Sequence, residues 1–155
     1  MTIVEPTIAE LVAEQERLRL TKFNYDVAWE IGSRIRQVAA SKAMPVAIEV
    51  RHGTDVVFAS LISGSTIDNF DWTRRKCAVA HRFHKSSLLI RLESERDGYD
   101  LNARFRIPAE DYVASGGGFP IILKGGTLID TIGVSGVPDV EDHRLITTVL
   151  SEMYN

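Results

Sequence analysis

The feature that most restricts the fold of this chain is a pair of alternating apolar runs, used twice and closed each time by turn chemistry. Val46, Ile48 and Val50 alternate with Ala47, Glu49 and Arg51, and His52-Gly53-Thr54-Asp55 then turns the chain into a second run, Val56 to Leu61. Much later, Phe119 to Leu123 meets a Gly125-Gly126 turn and returns as Thr127 to Val134. Period-two alternation predicts half-buried strands, and a short turn between two of them predicts an antiparallel hairpin. Helical spacing fills the stretches between. Hairpins separated by helices do not make βαβ winding; they imply an α+β fold, an antiparallel sheet with helices packed on it.

Ile8, Leu11, Val12 and Leu18 predict an amphipathic first helix. Asn24 suits the cap of a second, with Val27, Ala28, Ile31, Ile35 and Val38 as its buried stripe. Gly32 inside it costs about 1 kcal/mol against alanine, which points to a neighbour packed close on the backbone. Asp68 is suited to cap a third helix reaching His84, with Asp71 adding negative charge to its first turn. Ser86 or Ser87 caps a short fourth bearing Leu88, Leu89 and Leu92. Between Glu93 and Asp111 the alternation of Leu101, Ala103, Phe105 and Ile107 suits a strand, while the charge density suits an exposed connection. In the last helix Leu145, Val149 and Met153 share a face.

A chain of 155 residues has room for one core, so residues 1–155 are expected to form one domain. Its net charge of −3, with both signs interspersed, supplies no field for a phosphate backbone, so nucleic-acid binding is disfavoured. Cys77 is the sole cysteine, which rules out an intrachain disulfide. Met1 to Glu10 lacks a basic start followed by an apolar run, and no stretch approaches the ~18 apolar residues of a membrane span. A cytoplasmic address without membrane insertion is the expectation.

Four clusters carry candidate chemistry. Trp72, Lys76, Val79 and Phe83 share one side of the third helix, and a lysine centred in such a stripe must snorkel or meet an anion. That anion is either a bound ligand or a structural carboxylate, of this chain or of a sister chain. Cys77, His81 and His84 lie at spacings of four and three, suited to soft-ligand chemistry, but Arg74, Arg82 and Lys85 flank them and repel a cation. No metal site is expected. Gly116-Gly117-Gly118-Phe119-Pro120 lets a ligand or strand approach the backbone, and Ser135-Gly136 precedes a helix N-terminus with free N–H groups. Asp142-His143 places an imidazole beside a carboxylate, although adjacent helical residues point about 100° apart. Neither nucleotide-loop motifs nor G-x-S-x-G, H-E-x-x-H or C-x-x-C occur.

Several of these segments recur together in one order: Asp68-Asn69, Trp72 to Lys76, Ser86-Ser87, Tyr112, Gly116 to Ile121, Ile132 to Gly136, and Glu141-Asp142-His143. In this the chain resembles the haem-degrading-domain superfamily, the HbpS- and GlcG-like proteins, in its short UPF branch. The resemblance implies a profilin-like outline, assembly as a homo-oligomer built from dimers, and haem as a candidate ligand. The leading expectation is a small-ligand-binding domain for haem or another planar or anionic molecule. Its site would comprise Trp72, Lys76, Gly117, Gly118, Phe119, Ser135, Gly136 and His143. The alternatives are a scaffold without catalysis and an enzyme using Lys76 or His143 as acid–base group.

Overall fold

The computed structural model describes residues 3–154. Elements follow the order α1 (Ile8–Arg17), α2 (Tyr25–Ser41), β1 (Ala47–His52), β2 (Asp55–Leu61), α3 (Ile67–Phe83), α4 (Ser87–Asp97), α5 (Leu101–Phe105), β3 (Gly118–Ile122), β4 (Leu128–Ser135) and α6 (Asp139–Tyr154). Both expected hairpins form, and they join through β1 and β4 into one antiparallel sheet of order β2-β1-β4-β3. The joining register runs from Ala47 opposite Ser135 to His52 opposite Asp130.

The sheet is covered on both faces. Ile48, Val50, Phe119, Ile132 and Val134 pack with Ile31 and Ile35 of α2 and Ile146 and Val149 of α6. On the opposite face α3 lies against β4, β3 and β1. That second layer corrects the half-buried reading of β1. Ala47 to Val50 are all buried, Glu49 included at 2% exposure, because α3 shields the side expected to meet water. Gly32 has the close neighbour its cost implies: a Cβ there would stand 2.4 Å from the Phe58 ring.

Three local expectations change. Thr66, not Asp68, caps α3, and its N–H donates to Asn69 Oδ1 at 2.8 Å, so the helix starts two residues earlier than an Asp68 cap implies. Leu101–Phe105 is a helical turn, not a strand. Asp100 caps it by accepting from Ala103 N at 2.9 Å, and Arg106 ends it with φ 57°. Local capping wins there over a four-residue alternation. On α1, Leu11 is buried but Val12 is 52% exposed, so the inward stripe is narrower than its apolar content.

The two sheet edges differ. Leu20 lies alongside β3, its N–H donating to Ile122 O at 3.0 Å and its carbonyl accepting from Lys124 N at 2.9 Å. The outer side of β2 pairs with no strand among the described residues. No helix among those residues is long and apolar enough to cross a membrane.

Candidate functional site

Thr73, Lys76 and Cys77 are buried where α3 crosses the sheet, and two glycines make the crossing close. A Cβ on Gly133 would stand 2.8 Å from Cys77 Sγ, and one on Gly118 would stand 2.3 Å from the Lys76 carbonyl oxygen. The helix axis therefore sits low over β3 and β4, which leaves a long Lys76 side chain no route to water. At 2% exposure its ammonium donates to Asp142 Oδ2 at 2.9 Å and to Val134 O at 3.1 Å.

Asp142 answers two demands at once. Besides Lys76, its carboxylate accepts from Val137 N at 3.2 Å and from the Gly136 amide. The anion sought by the lysine and the anion suited to the Ser135-Gly136 helix start are thus one side chain of the same chain, itself 1% exposed. Burial pushes the Asp142 carboxyl up to about 6, against the opposing pull of the Lys76 ammonium and the two amides.

The structure gathers only part of the expected set. Gly117, at φ 122°, passes so close that a Cβ would lie 2.2 Å from Val134 O and 3.0 Å from Lys76 Nζ. Gly118 and Gly136 border the same junction, and Ser135 is buried at the strand end opposite Ala47. Phe119 belongs to the main core, its ring 6.1 Å from that of His143. The His143 imidazole is buried and ties α6 to α1 through Nε2, 2.8 Å from Glu14 Oε1; its Nδ1 has no hydrogen-bond partner among the described residues. Trp72 stands outside the group, beneath the Arg75 guanidinium at 4.3 Å from the ring centroid. Phe83 is elsewhere again, packed edge-on to Phe105 at 4.9 Å. The Lys76 neighbourhood is a closed electrostatic junction between α3 and α6.

An open concavity lies on another flank of α3. The β1–β2 turn, α3 and Asp111-Tyr112 wall a cleft of about 350 Å³ whose lining includes Arg51, Arg74, Cys77, His81 and Tyr112. Arg51 is held by the buried Glu49, Nε to Oε1 at 2.8 Å, and donates from Nη1 to Thr54 O at 2.8 Å. Arg74 donates to Asp111 Oδ1 at 2.9 Å and to Asp71 Oδ1 at 2.8 Å, and the latter contact holds the Asp71 carboxyl below its ordinary range. Each guanidinium is oriented by carboxylates and still has N–H groups to spare, since five are available. His81 is exposed at this cleft. The Cys77 thiol is buried, and desolvation, followed by the nearby Glu49 charge, pushes it up to about 12, so it is a wall and not a thiolate.

Cys77 and His81 both line this cleft, as their spacing allows, but His84 does not join them. It ends α3 at φ 56°, its carbonyl accepting from Gln15 Nε2 at 2.8 Å. No group of three or more His, Cys, Asp or Glu residues is placed to hold a metal ion among the described residues. Arg51 and Tyr112 escaped sequence reasoning as site residues because the cleft is assembled from separate elements. A second omission is His52, whose Nδ1 lies 2.7 Å from Oδ1 of the fully buried Asp130. That contact raises the imidazole above its ordinary value.

With this geometry in view, the chain can be placed among known proteins. The family described as haem-degrading protein HbpS-like matches residues 23–151. A UPF0303 protein of Streptomyces avermitilis is 38% identical over 147 residues, covering 95% of this chain and 90% of its own length. Among solved structures, that of the Ybr137w protein superposes with a TM-score of 0.88 at 24% identity, covering 97% of this chain and 89% of the other. The structure of a PduOC–haem complex superposes with a TM-score of 0.70 at 14% identity, covering 83% and 93%. Likeness at such identities carries the fold alone. The family match and the 38% relative carry more: this chain belongs to the HbpS-like family of haem-degrading proteins.

Proposed function

We propose that this chain is a cytoplasmic, homo-oligomeric binding domain for a planar or anionic small molecule, held in the cleft between α3 and the β1–β2 turn. The observation that carries this is the convergence there of two pre-oriented guanidiniums, Arg51 and Arg74, with the Tyr112 ring and one accessible imidazole, His81. Guanidiniums receive carboxylates in a bidentate fork, and an aromatic face takes a flat ring. The expected site around Lys76 yields this role to the cleft, because its ammonium and the Asp142 carboxylate that matches it are buried beyond reach of an entering molecule, whereas Arg51 and Arg74 line an open cleft.

Haem is the first ligand to try, given the family and the PduOC–haem neighbour. The donor set fits it: the exposed His81 imidazole, a neutral nitrogen donor at the cleft, would hold the iron. Arg51 and Arg74 would receive the propionates. When bound, haem supplies redox and oxygen chemistry; the chain's own residues bind, orient and shield. At about 350 Å³ the cleft is at the small end of small-molecule sites, so smaller planar anions share the proposal.

Titration with hemin tests it. The expected result is a shifted Soret band saturating at micromolar concentration, with His81→Ala or Arg74→Ala weakening binding at least tenfold. An unchanged band on adding wild-type protein overturns the haem version. A wild-type shift that both variants retain overturns the cleft as its location.

A further inference from the structure

The oligomer in that reading needs a contact surface, and the following rests on that part of it. The open edge is β2, and beside it runs a stripe of α2: Trp29, Ser33, Arg36 and Ala40 form, with Phe58 and Ser60, an apolar-floored groove of about 480 Å³. Trp29 is 65% exposed while its ring meets Phe58 edge-on at 5.5 Å, and Tyr25 and Val56 continue the apolar surface at 68% and 48%. A row of free strand N–H and C=O groups flanked by exposed aromatic residues is a surface that proteins ordinarily cover.

The charges on this surface indicate what covers it. Asp26 and Glu30 lie in the first half of α2, Arg34 and Arg36 in the second, and Asp55 starts β2. None of these five forms a salt bridge among the described residues, although Arg36 donates to Ser60 Oγ at 2.8 Å. An acid-first, base-last helix is complementary to a copy of itself laid antiparallel. A two-fold axis at Phe58, the midpoint of β2, sets Asp55 opposite the partner's Leu61 and Val56 opposite the partner's Ser60. The same axis passes near Gly32, which packs on Phe58, so the acidic half of α2, Asp26 and Glu30, would lie along the basic half, Arg34 and Arg36, of the second copy. Isologous contacts require this self-complementarity.

We infer that the outer edge of β2 and the Trp29–Arg36 stripe of α2 are the two-fold interface with a second copy of this chain. Light scattering after size exclusion, at tens of micromolar protein, tests it with charge reversals at exposed positions that leave the core intact. Wild-type protein is expected at an even multiple of the 17.3 kDa chain mass. Asp26→Lys and Arg36→Glu should each weaken association at least tenfold, and the double variant should restore it. Single variants that keep the wild-type mass, or a double variant that stays dissociated, overturn the interface while leaving the oligomer intact. A monomeric wild-type protein overturns the homo-oligomer itself and leaves the ligand cleft unaffected.

Discussion

Removing the ammonium of Lys76 provides the sharpest quantitative test of the junction between α3 and α6. Lys76 and Asp142 are 2% and 1% exposed and 2.9 Å apart, so the pair sits in the regime where breaking one side strands the other. Losing one partner of a buried pair costs about 3–5 kcal/mol, whereas replacing both with apolar groups of similar volume is close to neutral. The two halves are not equivalent here. Without Lys76, Asp142 keeps the Val137 and Gly136 amides. Without Asp142, the ammonium keeps only Val134 O.

Lys76→Met is therefore expected near 3 kcal/mol and Asp142→Leu near 5 kcal/mol, with the double variant within about 1 kcal/mol of wild type. For a chain of this size each kcal/mol moves Tm by roughly 2–4 °C. Urea unfolding of all four proteins gives the cycle. The pH dependence has a fixed sign. An acid whose folded pKa is raised, as Asp142 is from 3.8 to about 6, holds more protons folded than unfolded, so its ionisation removes stability as pH rises through that interval. In Lys76→Met, which lacks the opposing ammonium, the deficit should shrink as pH falls from 7 to 5. A Lys76→Met cost below about 1 kcal/mol at pH 7, or a deficit that grows on acidification, would refute the reasoning.

Two further outcomes follow from the other titratable groups. Cys77, with its thiol raised to about 12 and 1% exposed, should resist a thiol reagent at pH 8 in the folded protein and react at the rate of unfolding; prompt stoichiometric labelling contradicts this. The His52 imidazole, raised chiefly by its hydrogen bond to Asp130, should titrate above 6.5 by NMR and move down in Asp130→Asn; a midpoint unchanged by that substitution removes Asp130 as the cause.

The sheet and most helix starts were legible in the sequence because their signals are local. Asn24 and Ser86 cap as their chemistry suggests, and both hairpins are written in alternation and turn residues. The burial of Glu49 was not legible, because the layer that covers it comes from α3 rather than from its own strand. The site shows the same division. That Lys76 must meet an anion followed from its apolar surroundings, but the anion lies 66 positions away, and Asp142 had a sufficient local explanation as a dipole-complementing charge. Arg51, Arg74 and Tyr112 belong to separate parts of the chain, and no spacing rule brings them together.

The place of β4 in the sheet has a consequence for biosynthesis. β1 leaves the ribosome early, but its inner neighbour is the last strand made, and the stretch separating them holds three helices and two strands. The first hairpin must persist with one flank bare until residue 135 emerges, and the final helix that seals the barrel-less sheet follows only afterwards. Closure of contacts so distant along the chain is slow. A stalled or truncated polypeptide ending before β4 would present raw strand edge and an unanswered interior cation together, a combination suited to capture by chaperones or proteases.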